Sequence, residues 1–404
     1  MKRRLRLDEV PHARVWEISV EGSRIILRTG LEHTPGSVRR IERASPEAAQ
    51  KTARQMIEQR LADGFHDAPL EAWEALTPDG PSERWLVYAD TLLAQGDPRG
   101  ELIALQARGE AKKAKALLRR EADALLGDLA GVLNQVELEW NLGFISTARI
   151  TSEPRRRHSV PLHSMLTPLF NSPSIRMLQR LELEWPGGHF NSLDYGLSLL
   201  VLCTLQWPAH LDTLEIGAFD PSEVRRWPSL NTLKPLERYP QLKYLVVRAA
   251  MTVLDLDRHD GLRHLELDGP AMTHRMLADL LVCQLPALRG LVLSIGAESV
   301  MSARHLTPLA SPLYFPNLAA LGIRQCRQVT TFAARLIDEG RLARLSLLDL
   351  SENSLNEPDG RWLLENASHF AHLSRLVLRA NRFKPRMRAR LAEALPNADL
   401  SGQL

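Results

Sequence analysis

The sequence predicts an α/β protein in which short strands and helices alternate as stacked, repeated units, preceded by a small α+β module and a short helical module. Three observations carry this expectation. Leu345, Leu348, Leu350 and Asn353 follow the spacing L-x-x-L-x-L-x-x-N, and Leu373, Leu376, Leu378 and Asn381 repeat it directly afterwards. The same leucine pattern starts at Leu178, Leu211, Leu242, Leu262, Leu288, Leu318, Leu345 and Leu373, with unequal intervals between copies. With 404 residues, 44% hydrophobic and 25% charged, the chain has ordinary globular composition but is too long for one compact core unless repeated units extend it.

The spacing has a physical reading. Leucines at the fourth and sixth motif positions are two apart, so on a strand they point to one side, into a core, while their flanking residues face the other. An Asn at the ninth position can bond the backbone where the chain leaves the strand, and stacked copies make a ladder. After Asn353, Glu357-Pro358-Asp359-Gly360 is a turn or helix-start signal, and the helix that follows carries Trp362, Leu363 and Phe370. One strand and one helix cannot bury both apolar faces alone, so neighbouring units must stack. The pattern resembles a leucine-rich repeat of the longer, helix-containing kind, which implies a horseshoe of parallel strands and helices with capping ends over residues 129–404.

Taken from the start, residues 1–68 begin with a basic stretch that lacks the apolar segment of a secretory signal. Trp16, Ile18 and Val20 alternate, then Ile25 and Leu27, giving two strands around a turn at Glu21-Gly22. A helix follows with Ser45 as N-cap, Pro46 at its first position, an apolar stripe of Ala49, Ala53, Met56, Ile57 and Leu61, and Gly64 at its end. This order resembles the WGR domain, known from poly(ADP-ribose) polymerases and many bacterial proteins, where it can contact nucleic acid. Of the Trp-Gly-Arg hallmark only Gly30 is present, in Thr29-Gly30-Leu31, while Arg28, Arg39, Arg40 and Arg43 leave a basic strand edge. That edge reads either as a solvated face or as a contact for nucleic acid or an acidic partner.

Residues 69–128 are the helical module. Helices are expected from Pro69 to Leu76, from Ser82 to Gln95, and from near Arg99, with Gly96-Asp97-Pro98 as the break. LVYAD (Leu86 to Asp90), GDPRGE (Gly96 to Glu101) and the following LIALQ resemble the repeat-companion domain of bacterial proteins, a module found beside repeat arrays. Asp90, Asp97, Arg99 and Glu101 have the residue types of an acid–base or metal cluster; the simpler reading makes Asp97 a helix cap and pairs Arg99 and Glu101 locally. Lys112, Lys113, Lys115, Arg119 and Arg120 form the wet side of an amphipathic helix.

The array opens with paired strands around Asn141-Gly143, expected to cap its N-terminal end, and a loop at Pro154 to His158. The interval from Leu242 to Leu262 is the shortest and leaves room for only a short helix. The ladder position reads Pro186, Phe219, Ala250, Pro270, Gly296, Cys326, Asn353 and Asn381, so only the last three fit the Asn/Cys pattern and the earlier turns should be looser. Cys326 reads as a buried ladder residue more than as a nucleophile. The tail reads as a last helix and a closing strand, with Arg382, Lys384, Arg386, Arg388 and Arg390 keeping it soluble.

Function is less legible. A formal net charge of +3 does not imply nucleic acid by itself. Cys203, Cys283 and Cys326 show no Cys-x-x-Cys pairing, which fits a reducing cytoplasm. No run is long enough to span a membrane, and neither phosphate-binding, dinucleotide-binding, zinc-protease nor nucleophile-elbow motifs occur. No catalytic, metal or cofactor site is therefore assigned, and the protein is expected to be a non-enzymatic scaffold that binds a protein on the sheet face. The expected contact residues are Glu182, Glu184, Glu215, Glu266 and Asp268, an acidic group inviting a basic partner, and Arg324, Arg375 and Arg379 further along. The alternative is a nucleic-acid-associated regulator acting through the WGR-like domain while the repeats recruit protein.

Overall fold

Period-two alternation near the N-terminus builds an antiparallel sheet, and the leucine pattern further on builds a parallel one. The computed structural model describes residues 2–7, 13–31, 37–68, 76–150, 162–184, 193–217, 229–230, 232–296 and 298–403. Two compact units result: Met1–Arg149 with His163–Gln179 and Val201–Leu211, and Ile150–Leu162 with Arg180–Leu200 and Asp212–Leu404.

The first unit starts with strands β1 (Lys2–Leu7), β2 (Arg14–Glu21), β3 (Arg24–Leu31) and β4 (Ser37–Glu42), helix α1 (Pro46–Ala62) and strand β5 (His66–Ala68). Their sheet runs β4-β3-β2-β1-β5, antiparallel throughout, whereas the alternation predicts only β2 and β3. Strand β1 hides its alternation among arginines, yet Leu5 is fully buried with Trp16, Ile18, Ile25 and Leu27 against Ala49, Ala53 and Ile57 of α1. Ser45 caps α1 by accepting from the Ala48 N–H, as the sequence predicts. Leu61, expected on the buried stripe, is exposed in the last turn.

Helices α2 (Ser82–Ala94), α3 (Pro98–Ala107), α4 (Ala111–Arg120) and α5 (Ala122–Leu126) follow, then the paired strands β6 (Val136–Asn141) and β7 (Phe144–Ile150) and helix α6 (Leu162–Asn171). Most of the helix expected at Pro69 to Leu76, and the loop at Pro154 to His158, lie outside the described residues. The GDPRGE stretch has a structural explanation. Asp97 accepts from the Arg99 N–H and caps α3, and a Cβ on Gly100 would sit 2.5 Å from the Ala89 carbonyl oxygen, so glycine alone lets α2 and α3 approach this closely. Arg99 is buried, bonded to Asp97 and to the Pro173 carbonyl, with its guanidinium 5.7 Å from the Phe144 ring centre. It does not pair with Glu101 as expected, because Glu101 faces Arg120 on α4 at 3.5 Å.

The parallel sheet of the second unit comprises β8 (Arg180–Leu183), β9 (Thr213–Gly217), then, beyond the short strand β10 (Ser229–Leu230), β11 (Tyr244–Arg248). It continues, beyond the short β12 (Met251–Thr252), with β13 (His264–Asp268), β14 (Gly290–Ser294), β15 (Ala320–Arg324), β16 (Leu347–Asp349), β17 (Arg375–Val377) and β18 (Ala398–Asp399). Helix α7 (Leu193–Thr204) follows β8; α8 (His274–Val282), α9 (Thr307–Ala310), α10 (Val329–Asp338), α11 (Glu357–Glu365), α12 (Ala367–Phe370) and α13 (Pro385–Ala394) occupy later connections. Leu181, Leu214, Leu245, Leu265, Leu291, Leu321, Leu348, Leu376 and Ala398 lie opposite one another in a single register. All eight motif-start leucines are at most 3% exposed, so the leucine side of the sheet is core. No helix forms between β11 and β13: Leu254 and Leu256 are buried at alternate positions of extended chain instead, and β12 pairs with β10. The short interval from Leu242 to Leu262, less its strand, leaves too little chain for a helix with its two turns.

Candidate functional site

The face of the parallel sheet opposite the leucines carries the expected contact residues, and the register decides what they meet. Glu182 lies 2.5 Å from Arg180 on the same strand, and Arg180 also bonds Glu215 on the next one. Glu215 receives Arg248 from β11 at 3.1 Å, and Arg248 comes within 4.0 Å of Glu266 on β13. Glu266 meets Arg324 of β15 at 3.3 Å, and Arg324 ends on Asp349 of β16 at 2.8 Å. The result is one alternating chain, Glu182, Arg180, Glu215, Arg248, Glu266, Arg324 and Asp349, laid across the strands.

Four acids and three arginines thus compensate one another. Glu182, Glu215 and Asp349 are buried, and a buried carboxylate without a cation would be costly. Burial works against the charge of Arg324, but Asp349 and Glu266 outweigh it and raise its pKa above the ordinary arginine value. The structure therefore removes the reason for expecting a basic partner at Glu182, Glu215 and Glu266: the cations that offset them come from the chain itself. Glu184 and Asp268 sit half-buried at the strand ends, and their backbones join the sheet, Glu184 N–H donating to Ile150 and the Asp268 carbonyl accepting from Ala249. Arg375 pairs with Asp399 of β18 at 2.8 Å, and Arg379 is exposed beyond β17. The motif spacing puts Arg180, Arg248 and Asp349 on this face as well, because each flanks an inward leucine in its own copy; what it does not show is that they pair with the charges of neighbouring strands.

Between the charged members the face is uneven. Tyr244 is exposed, and its ring lies 6.1 Å from that of His264, whose pKa burial lowers below the usual histidine value. Gly290, Ala320 and Gly322 are small, so the middle of the face has little side-chain relief. Cys326 is buried with its thiol pushed up to about 12, and burial pushes Cys283 up to about 11, so neither supplies a thiolate near neutrality. Among the described residues no group of three or more His, Cys, Asp or Glu side chains is placed to hold a metal, and no helix is long and apolar enough to cross a membrane.

A separate concavity lies on the first unit. Arg14, Val15, Trp16, Thr29, Gly30, Arg60 and Phe65 line a cavity of about 360 Å³. The Arg60 guanidinium is 5.6 Å from the Phe65 ring centre and 6.0 Å from that of Trp16. Arg39, Arg40 and Arg43 are exposed on or just after β4, whereas Arg28 is turned to Glu17 at 3.1 Å, so the basic edge is narrower than its sequence suggests.

No protein-family model matches the chain, and no curated protein matches it. A crystal structure of a protein from Bacteroides fragilis is similar in fold, with a TM-score of 0.52 at 19% identity, covering 100% of this chain and 97% of that one. At that identity the likeness speaks for fold alone.

Proposed function

We propose that the second unit is a leucine-rich-repeat horseshoe and that the protein is a non-enzymatic scaffold receiving a protein partner on its charged sheet face. The observation that supports this reading most is the alternating chain from Glu182 to Asp349. It fixes seven charged side chains in place, so a partner meeting them loses little conformational freedom of the receptor. Such a face favours a partner with matching, alternating polarity over a uniformly basic one. The exposed Tyr244 gives it an aromatic contact, and Arg379, beyond the Arg375–Asp399 pair, its basic end. The test is affinity capture from the host extract with the full chain and with Tyr244→Ala plus Arg379→Glu. A protein captured by the first and lost by the second supports the reading; a partner held equally by both moves the site off the face.

A second reading is favoured by the cavity at Gly30. It places Arg14 and Arg60 beside two aromatic rings at the position where the WGR-like resemblance has its hallmark, which supports a nucleic-acid contact there. Binding to a short duplex or single strand that weakens as salt rises and is lost in Arg14→Glu plus Arg60→Glu would favour it.

A further inference from the structure

The edge of the parallel sheet at which the strands begin carries charges of another kind. Residues just before successive strands stack through backbone bonds: Arg263 N–H donates to the Lys243 carbonyl, Arg289 N–H to Arg263, Ala319 N–H to Arg289, and Ser346 N–H to Ala319. Neighbouring parallel strands lie about 4.8 Å apart, so Lys243, Arg263 and Arg289 form a column of three cations. Lys243 is neutralised by Asp212 at 2.9 Å. Arg263 and Arg289 are exposed and make no ion pair among the described residues. This differs from the sheet face, where Arg180, Arg248 and Arg324 each have an acid.

The loop that leads into the next strand of that column presents apolar side chains to water. Leu313 is 89% exposed and Tyr314 38%, in the segment between α9 and β15. The end of the loop joins the arginine column through the backbone: Asn317 donates to the Pro286 carbonyl at 2.9 Å, and the Ala319 N–H to the Arg289 carbonyl at 2.8 Å. Its shape is held from within. Arg341 is fully buried, and its guanidinium donates to the carbonyls of Ser311, Tyr314 and Phe315. Arg341 makes no ion pair among the described residues, so a desolvated cation is committed wholly to fixing this loop. Phe315 takes a left-handed backbone, φ 51°, and its ring is buried while Leu313 stays out. In the connection before β14, Val282 at the end of α8 is 76% exposed.

We propose that this edge is a docking surface for an acidic protein segment with apolar side chains, its carboxylates meeting Arg263 and Arg289 and its apolar residues packing on Leu313 and Tyr314. Two unneutralised guanidinium groups on adjacent strands repel, and an anionic partner relieves that repulsion. A loop held rigid costs the partner little ordering, and an aromatic–aliphatic pair offers the area that anchors need. The proposal shares with the scaffold reading only that the second unit binds protein; it places a different chemistry on a different surface.

The probe is a random-peptide phage library panned on the full chain. Enriched sequences should combine Asp and Glu with Leu or aromatic residues, and a synthetic copy of one should bind less tightly as salt rises. Arg263→Glu with Arg289→Glu should weaken that peptide about tenfold or more, and so should Leu313→Ser with Tyr314→Ser. Both pairs are surface changes, and unaltered thermal melting verifies that the fold survives. Arg375→Glu with Arg379→Glu, on the sheet face, should leave peptide affinity unchanged. Failure to enrich an acidic-apolar sequence, or equal binding by the edge variants and the wild type, overturns the proposal. Loss of binding in the face variant alone also overturns it while leaving the scaffold reading standing.

Discussion

The exits of the last strands of the parallel sheet and the exit of β14 close the same gap in different ways. Where the chain leaves β15, β16 and β17, side chains close it. Asn353 accepts from the Cys326 N–H at 2.8 Å and donates to the Ile323 carbonyl at 2.7 Å. Asn381 accepts from the N–H groups of Asn353 and Leu355 and donates to the carbonyls of Leu350 and Leu378, all at 3.0 Å. Gln403 ends the series, donating to Leu378 at 2.7 Å. At the exit of β14 the backbone closes mainly on itself, with one hydroxyl, that of Ser299, donating to the Met272 carbonyl at 2.6 Å. Met272 N–H donates to Ile295, and Glu298 N–H to Pro270, at 2.8 and 3.1 Å. Gly296 makes this possible with φ 85°, and a Cβ there would lie 2.1 Å from the Pro270 oxygen.

Both solutions meet the demand that buried backbone polar groups be paired. They differ in what they require of the sequence. An Asn ladder needs each rung at a near-constant offset from the next, and Cys326, Asn353 and Asn381 meet that need, with separations of 27 and 28 along the chain. Direct backbone approach needs only a small residue, so at the β14 exit it tolerates the unequal spacing of the motif copies on either side. The earlier turns keep the shared register, and glycine supplies at the β14 exit the closure that asparagine supplies later.

The sharpest way to break this comparison is through the core, which both halves share. Leu350→Ala and Leu267→Ala should each cost roughly 2–5 kcal/mol by leaving a cavity, since both side chains are essentially buried. Urea denaturation measures it, and a much smaller cost for Leu267 would show that the earlier turns are not packed as tightly.

Closure itself comes next. Asn381→Ala removes four bonds from a fully buried site and should cost roughly 1–3 kcal/mol. Gly296→Ala should cost a similar amount, about 1–3 kcal/mol from backbone strain alone, with the clash on Pro270 added. Gly340→Ala is the control, because its φ is 68° but a Cβ would meet nothing within 4 Å. If Gly296→Ala costs no more than Gly340→Ala, close backbone approach is not what holds the earlier exit.

The smallest effect belongs to the closing strand. The hydrogen bond from Arg375, with another from Ser401, lowers the Asp399 pKa from the ordinary 3.8 to about 2. A folded-state value below the unfolded one means that the folded chain favours the carboxylate. Its contribution is therefore complete above about pH 4 and disappears as the pH falls towards 2. Protection of the Leu378 amide, whose N–H donates to the Asp399 carbonyl, measured against the intrinsic exchange rate at each pH, should fall in that window and not above it, and Arg375→Gln should reduce the dependence to the share that Ser401 supplies.

Much of this was legible because it is local. The leucine pairs predict which side of each strand is buried, since a period of two allows only one answer once the motif copies are aligned. Ser45 and Asp97 predict their helix starts, because a cap is a contact between near neighbours in the chain. Cys326, Asn353 and Asn381 predict the ladder by their offsets. What the sequence by itself determined, then, is the repeated strand unit, its inward face and its C-terminal rungs. Only the tertiary structure decided that β1 joins the first sheet, that Gln403 serves as the last rung, and that Glu215 and Glu266 are answered by Arg180, Arg248 and Arg324. Arg180 and Arg324 stand 35 and 58 residues from their glutamates. The physical reason is that connections of irregular length carry no signal of their own register, so which charges face one another is settled only when the strands have paired.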